Sequence, residues 1–184
     1  MNPAIKSIRT KAIVALVLSV LALLPVVGVA FTIAFYAVMF FAVRGVRELS
    51  QSPTLLRNFA IFVGMMIAVV VLELIDSASG AASMLSFAAT GESGGGVGDV
   101  LLSILEYAAA IAGVVFGYLY YREMSRLSDI NFFFIAYIFV LVETALGVLW
   151  LGWIAWVFAL LAFVFELIAW IKLDHINKAT IAAK

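Results

Sequence analysis

Residues Asp99 to Tyr121 read DVLLSILEYAAAIAGVVFGYLYY. Turned at about 100° per residue, Asp99, Ser103, Glu106, Ala110, Gly113 and Gly117 share one narrow helix face, and Leu102, Ile104, Leu105, Ile111 and Val115 lie elsewhere. One face is small and acidic, and the rest is apolar. The stretch has about the 20 residues that a membrane-crossing helix needs. In lipid a face of small residues is where a neighbouring helix approaches closely, so Glu106 is expected to point into a bundle.

The whole chain has the same character. Of its 184 residues 66% are hydrophobic and 12% charged, with a mean hydropathy of +1.21. A soluble domain carries about a quarter charged residues. This is the composition of an all-α, polytopic membrane protein. The formal net charge is zero and the few Lys and Arg are scattered, so nucleic acid is not an expected partner. There is no Cys, and His175 is the single His, which removes thiolate nucleophiles and most soft-metal ligands. No cofactor is expected.

Upstream, a basic start with Lys6, Arg9 and Lys11 leads into an apolar run from Ala12 to Val43, interrupted at Pro25 and Gly28. It imitates a secretory signal, but we read it as retained. As one helix this run would measure about 48 Å, against a hydrocarbon core of about 30 Å. Arg44, Arg47 and Arg57 follow it, and basic residues favour the cytoplasmic side, so a hairpin with both ends inside is predicted. Phe59 to Ile75 then crosses outward.

Residues 78–98, ASGAASMLSFAATGESGGGVG, have no Lys or Arg and suit an outer Gly/Ser/Ala-rich loop. The Asp99 helix returns inward, ending in Tyr118, Tyr120 and Tyr121 before Arg122 and Arg126. From Ile130 to Ile171 the chain is again apolar, with a break at Gly147 to Gly152 flanked by Trp150 and Trp153. Six spans in three hairpins result, with residues 1–11 and 173–184 cytoplasmic and 12–172 a single membrane domain. All 11 Lys and Arg then lie on one side. On the last helix Gly152, Ala155, Ala159, Ala162, Glu166 and Ala169 form a second small-residue face. A weak echo sets Arg47-Glu48-Leu49-Ser50 beside Arg122-Glu123-Met124-Ser125, which suggests either a duplicated hairpin or similar turn compositions.

The stretches AVRGVRELSQSPTLLRNFAIFVG (42–64) and YYREMSRLSDINFFFIAYIFVLVETALGVLWLGWIAWVFALLAFVFELIAWIKL (120–173) resemble the small prokaryotic membrane proteins grouped as domain of unknown function 996. The likeness consists of an apolar hairpin, an Arg-and-Ser turn leading to Phe, and a long paired C-terminal apolar run. It implies a multi-span protein from a family with no assigned activity and no site residues to carry over; the expected location is the prokaryotic cytoplasmic membrane.

Three readings of the chemistry follow. Glu73, Glu106 and Glu143 are expected at similar depth near the outer ends of their helices, with Asp76 and Asp99 just above and no basic partner on that side. Such a cluster can hold protons or a hard cation, as a small transporter or channel would, or its members can bond hydroxyls of neighbouring helices. Glu166, near the opposite end, has Lys172 and the inner-loop arginines as candidate partners. Gly96-Val97-Gly98-Asp99 resembles the motif of presenilin-like and prepilin-peptidase-like intramembrane aspartyl proteases. It falls on the outer side, however, with Asp76 as its one candidate partner and no Pro-Ala-Leu signature. The small-residue faces and tiny loops favour a third reading, a non-catalytic accessory subunit of a larger membrane assembly. Its expected partners are lipid and other membrane subunits or a second copy.

Overall fold

The computed structural model describes residues 2–24, 27–90, 97–149 and 151–178, with the side chains of 79–90, 97–99 and 148 outside the description. Pro25, Trp150 and the tail beyond 178 therefore lie outside the described residues. Six helices occur among the described residues: α1 Pro3–Leu21, α2 Gly28–Ser50, α3 Leu55–Thr90, α4 Val97–Ser128, α5 Phe132–Val148 and α6 Gly152–Lys172. Four stretches are long and apolar enough to cross a membrane, namely Gly28–Ser50, Leu55–Ala78, Val100–Ser128 and Gly152–Lys172. The segment Phe132–Gly147 is apolar but shorter.

Two expected boundaries change. The segment read as a loop over 78–98 is largely helix, because α3 runs on to Thr90 and α4 begins at Val97. Ala, Met, Leu and Phe in this segment are adequate helix formers, and an isolated Gly costs only about 1 kcal/mol, so Gly80 does not stop the helix. The first helix begins within the basic start, ahead of the apolar run from Ala12. Asn2 caps α1, its Oδ1 accepting from the Ala4 amide at 3.0 Å, and Pro3 occupies the first helical position, which lacks an amide partner anyway.

By its contacts the chain divides into two compact units, Met1–Ala60 with Gly117–Lys184, and Ile61–Phe116. In the first unit α1 and α2 form an antiparallel hairpin. Ile5, Ile8, Ala12, Ala15 and Leu16 recur at helical spacing on α1 and are buried, as are Met39, Ala42, Val43 and Val46 on α2. The turn needs Gly28, where an added Cβ would lie 2.3 Å from the Ala22 carbonyl oxygen. α5 and α6 form a second hairpin, interlocked by rings. The Phe139–Phe165 and Phe133–Trp170 centroids are 5.2 and 5.0 Å apart. α1 also touches α6, and Arg9 Nη1 donates to the carbonyl of Ile171 at 3.1 Å, capping an end that leaves carbonyls unpaired.

α2 and α4 end alike. Gln51 and Asp129 both take left-handed backbone, with φ of 57° and 54°. Each follows a buried serine whose hydroxyl bonds back into its helix, Ser50 to Arg47 and Ser128 to Met124. This geometry pairs Leu49-Ser50-Gln51 with Leu127-Ser128-Asp129, three residues away from the register of the sequence echo.

The second unit holds α3 from Ile61 to its end and α4 from its start to Phe116. They meet at Gly113, where an added Cβ would lie 3.6 Å from Met65 Cβ and 3.8 Å from Met66 Sδ. Ile67, Val70, Val71, Leu74, Leu101, Ile104, Leu105 and Ile111 are exposed. That surface suits lipid and not water.

Candidate functional site

The acidic residues singled out from sequence fall in both units. In the second unit Glu73 and Asp76 are exposed on α3 and Glu106 is half-buried on α4. Asp99 lies in the first turn of α4, and its side chain is outside the description, as is the glycine run before it. The aspartyl-protease-like motif therefore lies largely outside the described residues. Among the described residues no three His, Asp or Glu side chains come together in a way that could hold a metal ion. Glu143 belongs to the first unit. It borders an apolar cleft of about 400 Å³ with Leu23, Gly152, Ala155, Trp156 and Ala159.

The small-residue faces lie partly inside the chain. Gly113 and Gly117 are buried and Ala110 half-buried on α4. On α6 Ala155, Ala162 and Ala169 are buried, Ala159 is half-buried, and Gly152 is exposed at the helix start.

The best-developed polar cluster centres on Glu123, a residue for which the sequence reading proposed no role. α2 ends at Gln51, whose left-handed conformation turns the chain into Ser52-Pro53-Thr54. Ser52 Oγ accepts from the amides of Thr54 and Leu55 at 3.3 and 3.2 Å, which caps α3. The same hydroxyl donates to Glu123 Oε1 on α4. Thr54 Oγ1 donates to that oxygen at 2.8 Å, and Asn58 Nδ2 donates to Oε2 at 3.3 Å. One carboxylate thus accepts from three side chains and fastens the α2–α3 turn to the end of α4. Charge-assisted bonds of this kind are stronger than neutral ones. Sequence gave half the signal, since Ser-Pro-Thr before an apolar run reads as a helix start. The acceptor stands 71 residues from Ser52, beyond any spacing rule.

A second carboxylate, Glu166, lies among aromatic rings of the same unit. Tyr121 Oη donates to Glu166 Oε2 at 3.3 Å. Tyr121 stacks on Tyr137 with centroids 5.3 Å apart and meets Tyr120 edge-on. The buried Trp170 Nε1 is near enough to feel the carboxylate but makes no hydrogen bond of good geometry. Lys172 is not the partner of Glu166, because its ammonium lies over the Phe132 ring, 4.8 Å from the centroid.

Outside the helices, residues after α6 clamp onto the α4–α5 turn. Asn177 donates its amide to the Leu127 carbonyl at 2.7 Å and its Nδ2 to Asp129 Oδ2 at 2.6 Å. His175 lies between Asp174 and Asp129. Bonds to Asp174 and then Asp129 raise the His175 pKa. Bonds from Asn177 and then His175 lower that of Asp129.

Six helices among the described residues, four of them fit to span a bilayer, and carboxylates bonded from helix to helix define the class, an integral multi-span helical membrane protein. Comparison with family models, curated proteins and solved structures finds no match that would take the identification further.

Proposed function

We propose that the chain is a non-catalytic accessory subunit of a membrane assembly, crossing a prokaryotic cytoplasmic membrane six times with both ends inside. The observation that carries this is the use made of Glu123, whose lone pairs go to Ser52, Thr54 and Asn58 and so to joining helices. The Tyr121–Glu166 bond works in the same way. Exposed rings and aliphatic side chains such as Tyr107, Trp153 and Trp156 offer lipid or neighbouring subunits a broad apolar surface. Support for six crossings comes from the pairing of α1 with α2 and of α5 with α6. Kinship with the domain of unknown function 996 family is part of this proposal and adds no activity to it.

The test is extraction of the native membrane in mild detergent, followed by identification of what co-purifies. Other membrane proteins at fixed stoichiometry are expected. A chain that emerges alone or only with copies of itself overturns the accessory reading.

A second reading, proton or cation handling, rests on Glu143, a carboxylate on the apolar helix α5 that borders an apolar cleft, and acids within apolar helices often serve ion pathways. It predicts flux in reconstituted vesicles that Glu143→Gln abolishes. Flux equal to that of empty vesicles removes it.

A further inference from the structure

The chain's arginines are not used alike. Arg9 caps α6, and Arg44 pairs with Glu48 at 2.8 Å. Arg57, Arg122 and Arg126 have no ion pair among the described residues, yet all three border one cleft of about 390 Å³. Thr54, Asn58, Leu119 and Glu123 complete its lining. Arg122 and Arg126 also border a second cleft of about 600 Å³, on the side of Asp129 and Asn131. They therefore stand as a ridge between two openings.

The carboxylates nearby are already engaged. Glu123 accepts from Ser52, Thr54 and Asn58, and Asp129 accepts from Asn177. Arg122 and Arg126 are one helical turn apart, a spacing at which like charges destabilise a helix, and Arg57 adds a third charge from α3. Arg122 is held in direction by the Tyr118 ring, its guanidinium carbon 5.7 Å from the centroid. A preference of basic residues for one side of the membrane accounts for arginines at helix ends. It does not account for three of them bordering a single cleft whose one lining carboxylate, Glu123, is bonded to Ser52, Thr54 and Asn58 and, among the described residues, forms no ion pair with them.

We infer that the cleft formed by Arg57, Arg122 and Arg126 binds a phosphate group, carried by an anionic lipid headgroup or by a soluble phosphate. Guanidinium groups match phosphate oxygens in pairs, and a single phosphate offset against three arginines relieves their mutual repulsion. The cleft lies at the start of one candidate span and the end of another, which is headgroup level, and Leu119 gives it an apolar edge.

The test uses the full chain, stripped of anionic lipid and placed in phosphatidylcholine nanodiscs. Phosphatidylglycerol is titrated in one arm and inorganic phosphate in the other, and each is read by thermal shift and by native mass spectrometry. A shift with phosphatidylglycerol alone assigns the site to a headgroup, and a shift with inorganic phosphate as well assigns it to phosphate from either source. Arg122→Gln with Arg126→Gln is expected to weaken binding about tenfold or more, the loss of at least one charge-assisted bond. Arg44→Gln, outside the cleft, leaves it unchanged. If the double variant does not fold, Arg122→Lys with Arg126→Lys replaces it, keeping the charge but losing the paired geometry. Absence of a shift with both probes on the unaltered chain, or equal binding by the unaltered chain and the Gln variant, overturns the inference.

Discussion

Gly45 of α2 rests directly on Ile8 of α1, so that a Cβ at position 45 would lie 2.6 Å from Ile8 Cγ1. The contact fixes the register of the first hairpin. Gly45→Leu is expected to lower stability by about 1–3 kcal/mol through overpacking. Adding Ile8→Ala recovers part of the loss by making room, a non-additivity expected of residues in contact. Thermal unfolding of the two single variants and the double variant in one detergent checks this.

Removing Glu123 leaves three side chains without their common acceptor. Glu123→Ala is expected to destabilise by about 1–3 kcal/mol, the range for stranding part-buried hydrogen-bonding groups. Glu48→Ala breaks an exposed pair with Arg44 four residues away and changes stability by about 0.5 kcal/mol or less. Denaturation of the two variants side by side separates the roles of carboxylates that the sequence echo sets in register.

The clamp made by residues 174–177 depends on pH. His175, raised above its ordinary 6.5 by Asp174 and Asp129, contributes when protonated, and its contribution is lost as pH rises through the raised value. Asp129 and Asp174, both lowered below their ordinary 3.8, contribute when ionised and lose this only in stronger acid. The clamp is therefore complete between these ranges and loosens on the alkaline side. Protease or label access to residues 174–178 is expected to increase from pH 6 to pH 9 in the unaltered chain. His175→Gln is expected to flatten that profile, and an unchanged slope in the variant counts against the assignment.

At Gly113 the distance of 3.6 Å to Met65 is ordinary contact, so a methyl group fits. Gly113→Ala is expected to keep the melting temperature of the chain, whereas Gly113→Leu lowers it by forcing α3 and α4 apart. Thermal unfolding of the two variants beside the unaltered chain in one detergent checks this.

Several of these relationships could be read from the sequence, and others could not. The break between α5 and α6 was visible in Gly147 to Gly152, and that between α1 and α2 in Pro25 and Gly28, because these residues act locally. The extension of α3 to Thr90 was not visible, since Ala and Ser at low charge fit an outer loop as well as a helix. Of the carboxylates at similar predicted depth, Glu73 and Glu106 fall in one unit and Glu143 in the other, and depth along a helix says nothing about rotation around it. Glu123 was hidden for another reason. Its partners, Ser52, Thr54 and Asn58, precede it by 71, 69 and 65 residues, and no periodicity links them.

The bond from Arg9 to Ile171 spans 162 residues and joins the chain's first helix to its last. A ribosome delivers α1 long before the carbonyl that it caps. The unit containing both ends can close only after α6 has been delivered, whereas Ile61–Phe116 is one uninterrupted stretch and can assemble while synthesis continues. Maturation of this protein therefore has a late step, in which a guanidinium already at the membrane finds the end of a newly inserted helix.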